Sequence, residues 1–318
     1  MILVTGGRGF VGKRLIKSLQ KSDGEFISLV RRSSTELKTF EVSMPENLSS
    51  ESLQALVGEL GYKIDSIVHC AGLAHGKMPN ADYQDFRAAN VVLTEVLAKF
   101  SLDIGVNKFI FLSTIGVHGR ISAKPVSESS SFSPYDLYSR SKLEAEQRLV
   151  ELFESRERSH ELVIIRPPLI IGSYAPGNFG KLVKLCTLPT PLPFGMIRNK
   201  RTVLSIDNLV NFIRYTLERP AVSGVFTLAD DDVVSTKDIA KEIKNSLGRS
   251  GIMVPVPVVV LKVLASLLRK PQLYEQLCED LVIDNARAKS QGWQPVVTSR
   301  ETLNHVTQLS AASQKRKS

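Results

Sequence analysis

The run Thr5-Gly6-Gly7-Arg8-Gly9-Phe10-Val11-Gly12 decides the fold. It stands directly behind the apolar Ile2-Leu3-Val4 and opens a helical pattern from Val11 to Leu19. Glycines 7, 9 and 12 satisfy G-x-G-x-x-G, and glycines 6, 9 and 12 satisfy T-G-x-x-G-x-x-G. Glycine is needed because a tight turn must bring backbone N–H groups against a pyrophosphate, which the following helix N-terminus then faces. Such a motif between a strand and a helix predicts a dinucleotide-binding unit.

Working outward, β-rich apolar runs alternate with helical patterns. Strands are expected at Phe26 to Val30, Ile64 to Cys70, Lys108 to Ser113 and Leu162 to Arg166. Helices are expected at Leu53 to Leu60 behind a Ser49-Ser50 cap, at Asp82 to Phe100 and at Leu137 to Phe153. This βαβα order predicts an α/β protein with a doubly wound parallel Rossmann sheet over residues 1–166. After Arg166-Pro167-Pro168 the elements shorten and prolines cluster from Pro189 to Pro193. A smaller C-terminal substrate-binding lobe, partly interleaved with the first domain, is expected over 167–309. Its helices are Ile206 to Leu217, which suits packing back on the first sheet, Asp238 to Leu247, Val258 to Leu268 and Ser299 to Leu309. Residues 310–318 read as a disordered basic tail.

Three further features carry chemistry. The second strand runs into Arg31-Arg32-Ser33-Ser34, with no acid to accept hydrogen bonds from an adenosine ribose. Two guanidiniums there suit a 2′-phosphate, which points to NADP ahead of NAD. Tyr138-Ser139-Arg140-Ser141-Lys142 is Y-x-x-x-K. Positions i and i+4 share a helix face, and an ammonium beside a phenol favours the phenolate, making it usable as an acid or base toward a carbonyl or alcohol. Finally, the strand Phe109 to Leu112 ends in Ser113-Thr114. A hydroxyl at that end points into the crevice where open α/β sheets bind ligands.

Composition excludes other classes. The chain has 318 residues, with 41 Lys+Arg against 32 Asp+Glu, a net charge of +9. The positive charge is scattered, so an anionic nucleotide diphosphate is expected as partner in place of nucleic acid. Cys70, Cys186 and Cys278 are widely spaced, which argues against disulfides and metal sites and for a reducing, cytoplasmic setting. No secretory signal opens the sequence, and no apolar run approaches the roughly 20 residues of a membrane span. The nearest, Val254 to Leu268, is interrupted by Pro255, Pro257 and Lys262 and reads as a half-buried helix of a globular lobe.

Further matches join these. They are His69-Cys70-Ala71-Gly72 after a strand, Asn90 with Thr94 in the next helix, Arg201 ahead of Ile206-Asp207-Asn208-Leu209, and Gly292-Trp293-Gln294-Pro295. From Thr5 to about Pro295 the chain resembles the extended short-chain dehydrogenase/reductase superfamily, in its NAD-dependent epimerase/dehydratase branch acting on nucleotide sugars. The resemblance implies that Gly6, Gly9, Phe10, Val11, Gly12, Ala71 and Gly72 bind the cofactor, with Arg31 and Arg32 at its adenosine end. Tyr138 is then the acid/base, Lys142 binds the nicotinamide ribose, Asn90 helps fix Lys142, and Thr114 is the active hydroxyl. Asn178 and Arg201 contact the nucleotide diphosphate. The narrower likeness is to UDP-4-keto-6-deoxy-N-acetylhexosamine 4-reductases of surface polysaccharide synthesis. It rests on Leu73-Ala74-His75, Leu192-Pro193-Phe194-Gly195 and Arg198-Asn199-Lys200-Arg201, with His75 beside the sugar.

The usual V-Y-G reads Val117-His118-Gly119, no arginine stands near Tyr274 to Asp280, and no acid follows the third strand around Ser43-Met44. Ile115-Gly116 after Thr114 argues against a dehydratase, which would carry an acidic pair there. The expected activity is thus a UDP-sugar 4-reductase, with two alternatives. One is a 4-epimerase on a UDP- or polyprenyl-linked sugar; the other is a non-enzymatic dinucleotide sensor, which the Tyr138/Lys142 pair disfavours. A homodimer fits the family.

Overall fold

The computed structural model of the chain describes residues 1–31, 40–74, 81–155 and 160–305. In chain order the elements open with β1 (Ile2–Thr5), α1 (Phe10–Lys21), β2 (Phe26–Val30), β3 (Glu41–Ser43), α2 (Ser50–Glu59) and β4 (Ser66–His69). Next come α3 (Tyr83–Arg87), a π turn at Ala88–Val92, α4 (Leu93–Asp103), β5 (Lys108–Leu112), a 3-10 turn at Ile115–His118, α5 (Leu137–Glu154) and β6 (Glu161–Arg166). The chain continues through β7 (Ile170–Ile171), α6 (Gly177–Cys186), β8 (Arg201–Thr202), β9 (Leu204–Ser205), α7 (Ile206–Leu217) and β10 (Gly224–Thr227). It ends with β11 (Val233–Val234), α8 (Thr236–Ser246), α9 (Val258–Leu267), α10 (Pro271–Cys278), α11 (Ala286–Ser290) and helical turns at 299–305. Two compact units emerge. The first holds Met1–Val117, Phe132–Arg166 and Val210–Phe226; the second holds His118–Ser131, Pro167–Leu209 and the chain from Thr227 onward.

In the first unit the strands order as β10-β6-β5-β4-β1-β2-β3, and every pairing from β3 to β6 is parallel. A parallel sheet has both faces covered, so its strands carry continuous apolar runs. Phe109-Ile110-Phe111 of β5 and Val163-Ile164-Ile165 of β6 are all buried. Helix α1 buries Val11, Leu15, Ile16 and Leu19, one stripe at helical spacing. Strand order reverses between β1 and β4, and ligands bind in the crevice beyond the carboxyl ends of strands at such a point. The loops after β1 and β4 carry the glycine motif and Cys70-Ala71-Gly72, so the topology itself marks the site.

Local chemistry sets where the helices begin. Ser49, Asp82 and Asp136 each open a helix through a reciprocal capping box, satisfying otherwise orphaned N–H groups. Asp136 thereby puts Tyr138 in the first turn of α5 and Lys142 one turn later. The continuous helix expected over Asp82 to Phe100 is broken by the π turn that contains Asn90; such turns recur at functional sites.

The second unit pairs β8 with β11 and β7 with β9 and buries Phe179, Leu228 and Trp293. One segment departs from expectation. The sequence from Val258 to Leu268 reads as half-buried, yet Ala265 is the residue α9 buries, and Val259 and Leu267 are 71% and 74% exposed. Among the described residues no helix is long and apolar enough to cross a membrane.

Candidate active site

The glycine loop is built from close backbone approaches. Gly6 adopts φ +72°, and a Cβ there would lie 2.6 Å from Ala71 N and 2.7 Å from the Cys70 carbonyl carbon. The loops after β1 and β4 therefore touch through a position open only to glycine. A Cβ at Gly12 would lie 2.3 Å from Gly6 O. Gly9 N donates to Gly6 O at 2.8 Å, closing the turn. Gly9 then caps α1 with no side-chain hydrogen bond, so the first N–H groups of the helix point out at its positive end. This donor set fits a dinucleotide pyrophosphate.

Beneath the loop runs a buried hydrogen-bond chain whose polarity can be deduced. Thr94 Oγ1 donates to Asn90 O at 2.7 Å, which uses its single proton. The 2.8 Å contact from His69 Nε2 to Thr94 Oγ1 must then have the imidazole as donor. His69 Nδ1 is consequently the acceptor, taking the Thr5 hydroxyl proton at 2.6 Å, and Thr5 Oγ1 in turn accepts from Ala71 N. His69 is neutral: burial, helped by the nearby Lys142 charge, pushes it down to about 3. Asn90 extends the chain, since its Oδ1 accepts from Leu73 N at 2.7 Å and its Nδ2 donates to Leu73 O and Ser141 Oγ. The network ties β1, the β4 loop, the π turn and α5 into one floor.

Lys142 reaches this floor from α5. Its Nζ donates to Leu112 O at 2.8 Å and lies 4.3 Å from the Phe111 ring centroid. A Cβ at Gly72 would stand 2.9 Å from Asn90 Oδ1 and 3.4 Å from Lys142 Nζ, so Gly72, Asn90 and Lys142 converge. Asn90 holds the Leu73 backbone and Ser141, the residue before Lys142, whereas Leu112 O takes the ammonium itself. Burial pushes Lys142 down to about 8, against the opposing pull of Cys70 and Glu146. Burial likewise raises the Tyr138 phenol, with Tyr135 and Asp136 acting in the same direction. In the protein alone, desolvation therefore outweighs the phenolate-favouring field expected from Lys142. Cys70 is pushed up to about 12 by burial and is a thiol, unsuited to nucleophilic work.

The two hydroxyls ending β5 have separate fates. Ser113 Oγ is buried and donates to Glu146 Oε1, inside an ion pair where Arg166 Nη2 meets Glu146 Oε2 at 2.6 Å. Thr114 keeps partial solvent access, and its Oγ1 accepts from Gly116 N at 3.1 Å. A Cβ at Gly116 would touch Ser139 Cβ at 3.2 Å and Thr114 Oγ1 at 3.4 Å, which brings Thr114 beside the first turn of α5. Among the two, Thr114 is the hydroxyl available to a ligand.

The NAD dependent epimerase/dehydratase pattern matches residues 2–229. A UDP-glucose 4-epimerase of Vibrio cholerae is 34% identical over 96% of this chain and 94% of its own length. The chain belongs to the NAD-dependent epimerase/dehydratase family. It is also similar, at 26% identity over 78% of this chain and 72% of the relative, to the N-acetyl-alpha-D-glucosaminyl-diphospho-ditrans,octacis-undecaprenol 4-epimerase of Escherichia coli O157:H7. The fold is shared with a UDP-glucose 4-epimerase of Thermotoga maritima solved with UDP-glucose, at a TM-score of 0.77, 21% identity and coverage of 98% and 99%.

Within this epimerase/dehydratase fold the remaining candidates lie on other elements. Arg31 is exposed at the end of β2; Arg32 and His75 lie outside the described residues. Asn178 is exposed in the first turn of α6. Arg201 starts β8, and its Nη1 donates to the carbonyls of Gln276 and Glu279 at 3.1 and 3.0 Å, holding the end of α10. Two features escaped the sequence reading. Glu146 stands one turn beyond Lys142, which Y-x-x-x-K-x-x-x-E spacing would have revealed. Arg8 in the glycine loop makes a two-pronged ion pair with Glu41 of β3, at 3.0 and 2.7 Å, and no spacing rule links those positions.

Proposed function

We propose that this chain is a UDP-sugar 4-epimerase using NAD. The observation that carries the reading is its 34% identity, nearly end to end, to a UDP-glucose 4-epimerase. Tyr138 and Lys142, one turn apart on α5, and Thr114, near the first turn of that helix, support it chemically. When bound, the nicotinamide supplies the acceptor and donor of hydride. Tyr138 acts as the phenolate, the form that Lys142 favours: it takes the proton from the C4 hydroxyl, becoming the neutral phenol, and gives the same proton back, while the Thr114 hydroxyl orients the sugar oxygen. Lys142 holds the nicotinamide ribose and presents positive charge to Tyr138. Gly6, Gly9, Phe10, Val11 and Gly12 cradle the pyrophosphate, Ala71 and Gly72 border the cofactor, and Asn90 shapes that border through Leu73. Asn178 and Arg201 offer polar and cationic contacts to the sugar's diphosphate. NAD is favoured over NADP because Glu41 pairs with Arg8 beside the glycine loop, which makes that edge less cationic than the arginines alone suggest.

A second reading, reduction of a UDP-4-keto-6-deoxy-N-acetylhexosamine with NADPH, is favoured by exposed Arg31 at a strand end that lacks a carboxylate. The two separate cleanly. The purified protein, given UDP-glucose or UDP-N-acetylglucosamine without added reductant, should convert each to an equilibrium mixture with its 4-epimer, read by NMR. No conversion of either, together with stoichiometric NADPH consumption on a UDP-4-keto sugar, would establish the reductase.

A further inference from the structure

We propose that α9 docks the protein on anionic bilayer surfaces, its axis lying in the membrane plane. The inference goes beyond the reaction proposed above and depends on no part of it.

An ordinary surface helix turns its apolar stripe inward; α9 does the opposite. Leu261 and Ala265 face the body of the second unit, partly or fully buried. Val259, Val260, Val263, Leu264 and Leu267 are all exposed, from 45% to 74%. At 3.6 residues per turn these five positions fan over about 140° of arc. In the flanking sequence, Ile252 and Leu268 are also 60% and 66% exposed. Singly exposed apolar residues need no account, but a contiguous patch marks an interaction site.

The charge around the patch selects the partner. Between Glu242 and Glu275 the sequence holds no acidic residue. Lys262, Arg269, Lys270 and Arg249 are exposed there. Lys262 flanks the stripe over the Tyr274 ring of α10, 5.6 Å from its centroid. Arg269 and Lys270 follow the helix C-terminus, where cations are favoured. An exposed apolar helix face with basic side chains beside it, on a helix of 10 residues that is too short to span a bilayer, suits the lipid headgroup region. A second copy of the chain fits less well. A two-fold interface would set this patch against itself, bringing one basic rim against another with no carboxylate in the segment to pair them. A phosphate-rich lipid surface complements both features.

Flotation of the full-length protein with vesicles tests this. Wild type should bind vesicles of phosphatidylcholine containing phosphatidylglycerol, and should bind pure phosphatidylcholine far less. Binding should weaken as salt is raised. Val263→Asp with Leu267→Asp should abolish it. Arg269→Gln with Lys270→Gln keeps the apolar face and should weaken it roughly 25-fold, at about fivefold per basic residue near the surface. Circular dichroism melts of each variant report on folding, and neither variant changes a residue assigned to the reaction above. The proposal is overturned if folded wild type stays with the unbound fraction on phosphatidylglycerol vesicles. It is equally overturned if the charge-removed variant binds like wild type, or if sedimentation velocity shows a wild-type dimer that Val263→Asp with Leu267→Asp makes monomeric.

Discussion

Replacing Lys142 by Met offers a direct physical test of the site. The ammonium is buried and pushed from 10.5 down to about 8, chiefly by desolvation. At about 1.36 kcal/mol per pH unit, that gap corresponds to about 3 kcal/mol. The sign follows from proton counting. Below pH 8 the lysine is charged in both folded and unfolded chains, and the folded state carries the whole cost of burying it. Between about 8 and 10.5 the unfolded chain holds a proton that the folded chain has lost, so stability rises with pH across this window. Met keeps an unbranched apolar stem over Phe111 but cannot titrate. It leaves Leu112 O without this donor, an offset that does not vary with pH. Urea unfolding of both proteins at intervals from pH 7 to 11 gives the difference in stability, in which titrations common to both cancel. Wild type minus Lys142→Met should rise by about 3 kcal/mol over the window. A difference flat to within about 1 kcal/mol would mean that Lys142 is not held as a buried charge, and the account of its role beside Tyr138 would fall with it.

Tyr138→Phe removes the transferable proton and little else, so turnover of UDP-glucose should fall about 10²–10⁴-fold while calorimetric NAD affinity stays close to wild type; near-normal turnover would end the assignment of Tyr138. Thr94→Val is nearly isosteric but leaves the buried His69 Nε2–H unpartnered, while Asn90 O stays within the helical run. At about 1–3 kcal/mol for such a group, stability in urea should drop by about 1–3 kcal/mol. A loss below about 1 kcal/mol would show that the His69 proton sits on the other nitrogen.

How much of this was legible in the residues differs between scaffold and floor. The sheet was, because parallel strands with both faces covered must be apolar runs. Phe26 to Val30 and Ile206 to Leu217 are found with the bounds their sequence predicts. The glycine loop was legible for the same kind of reason, since only glycine tolerates contacts such as 2.6 Å from Gly6 to Ala71 N. Short pairings such as β7 with β9 were not, being two-residue contacts fixed by distant partners and carrying no periodicity of their own. The π turn was equally silent, because the apolar spacing of Asp82 to Phe100 fits an unbroken helix.

The floor of the site was legible only in part: Asn90, His69 and Thr94 are among the sequence matches, but the hydrogen-bond chain that joins them is not. Its members, Thr5, His69, Asn90, Thr94 and Ser141, come from five places along the chain, and each has an ordinary local explanation as a strand end or helix polar residue. Only their meeting shows that they form one chain of donors and acceptors with a single consistent direction. That direction matters for chemistry. A neutral His69 adds no second positive charge beside Lys142, so the ammonium faces desolvation with Glu146, Cys70 and the Leu112 carbonyl in its favour. Were the imidazole protonated, like-charge repulsion would push Lys142 lower still and drain the positive field from Tyr138. The Thr5 and Thr94 hydroxyls thus fix which nitrogen of His69 carries the proton, while burial keeps the ring uncharged beside Lys142.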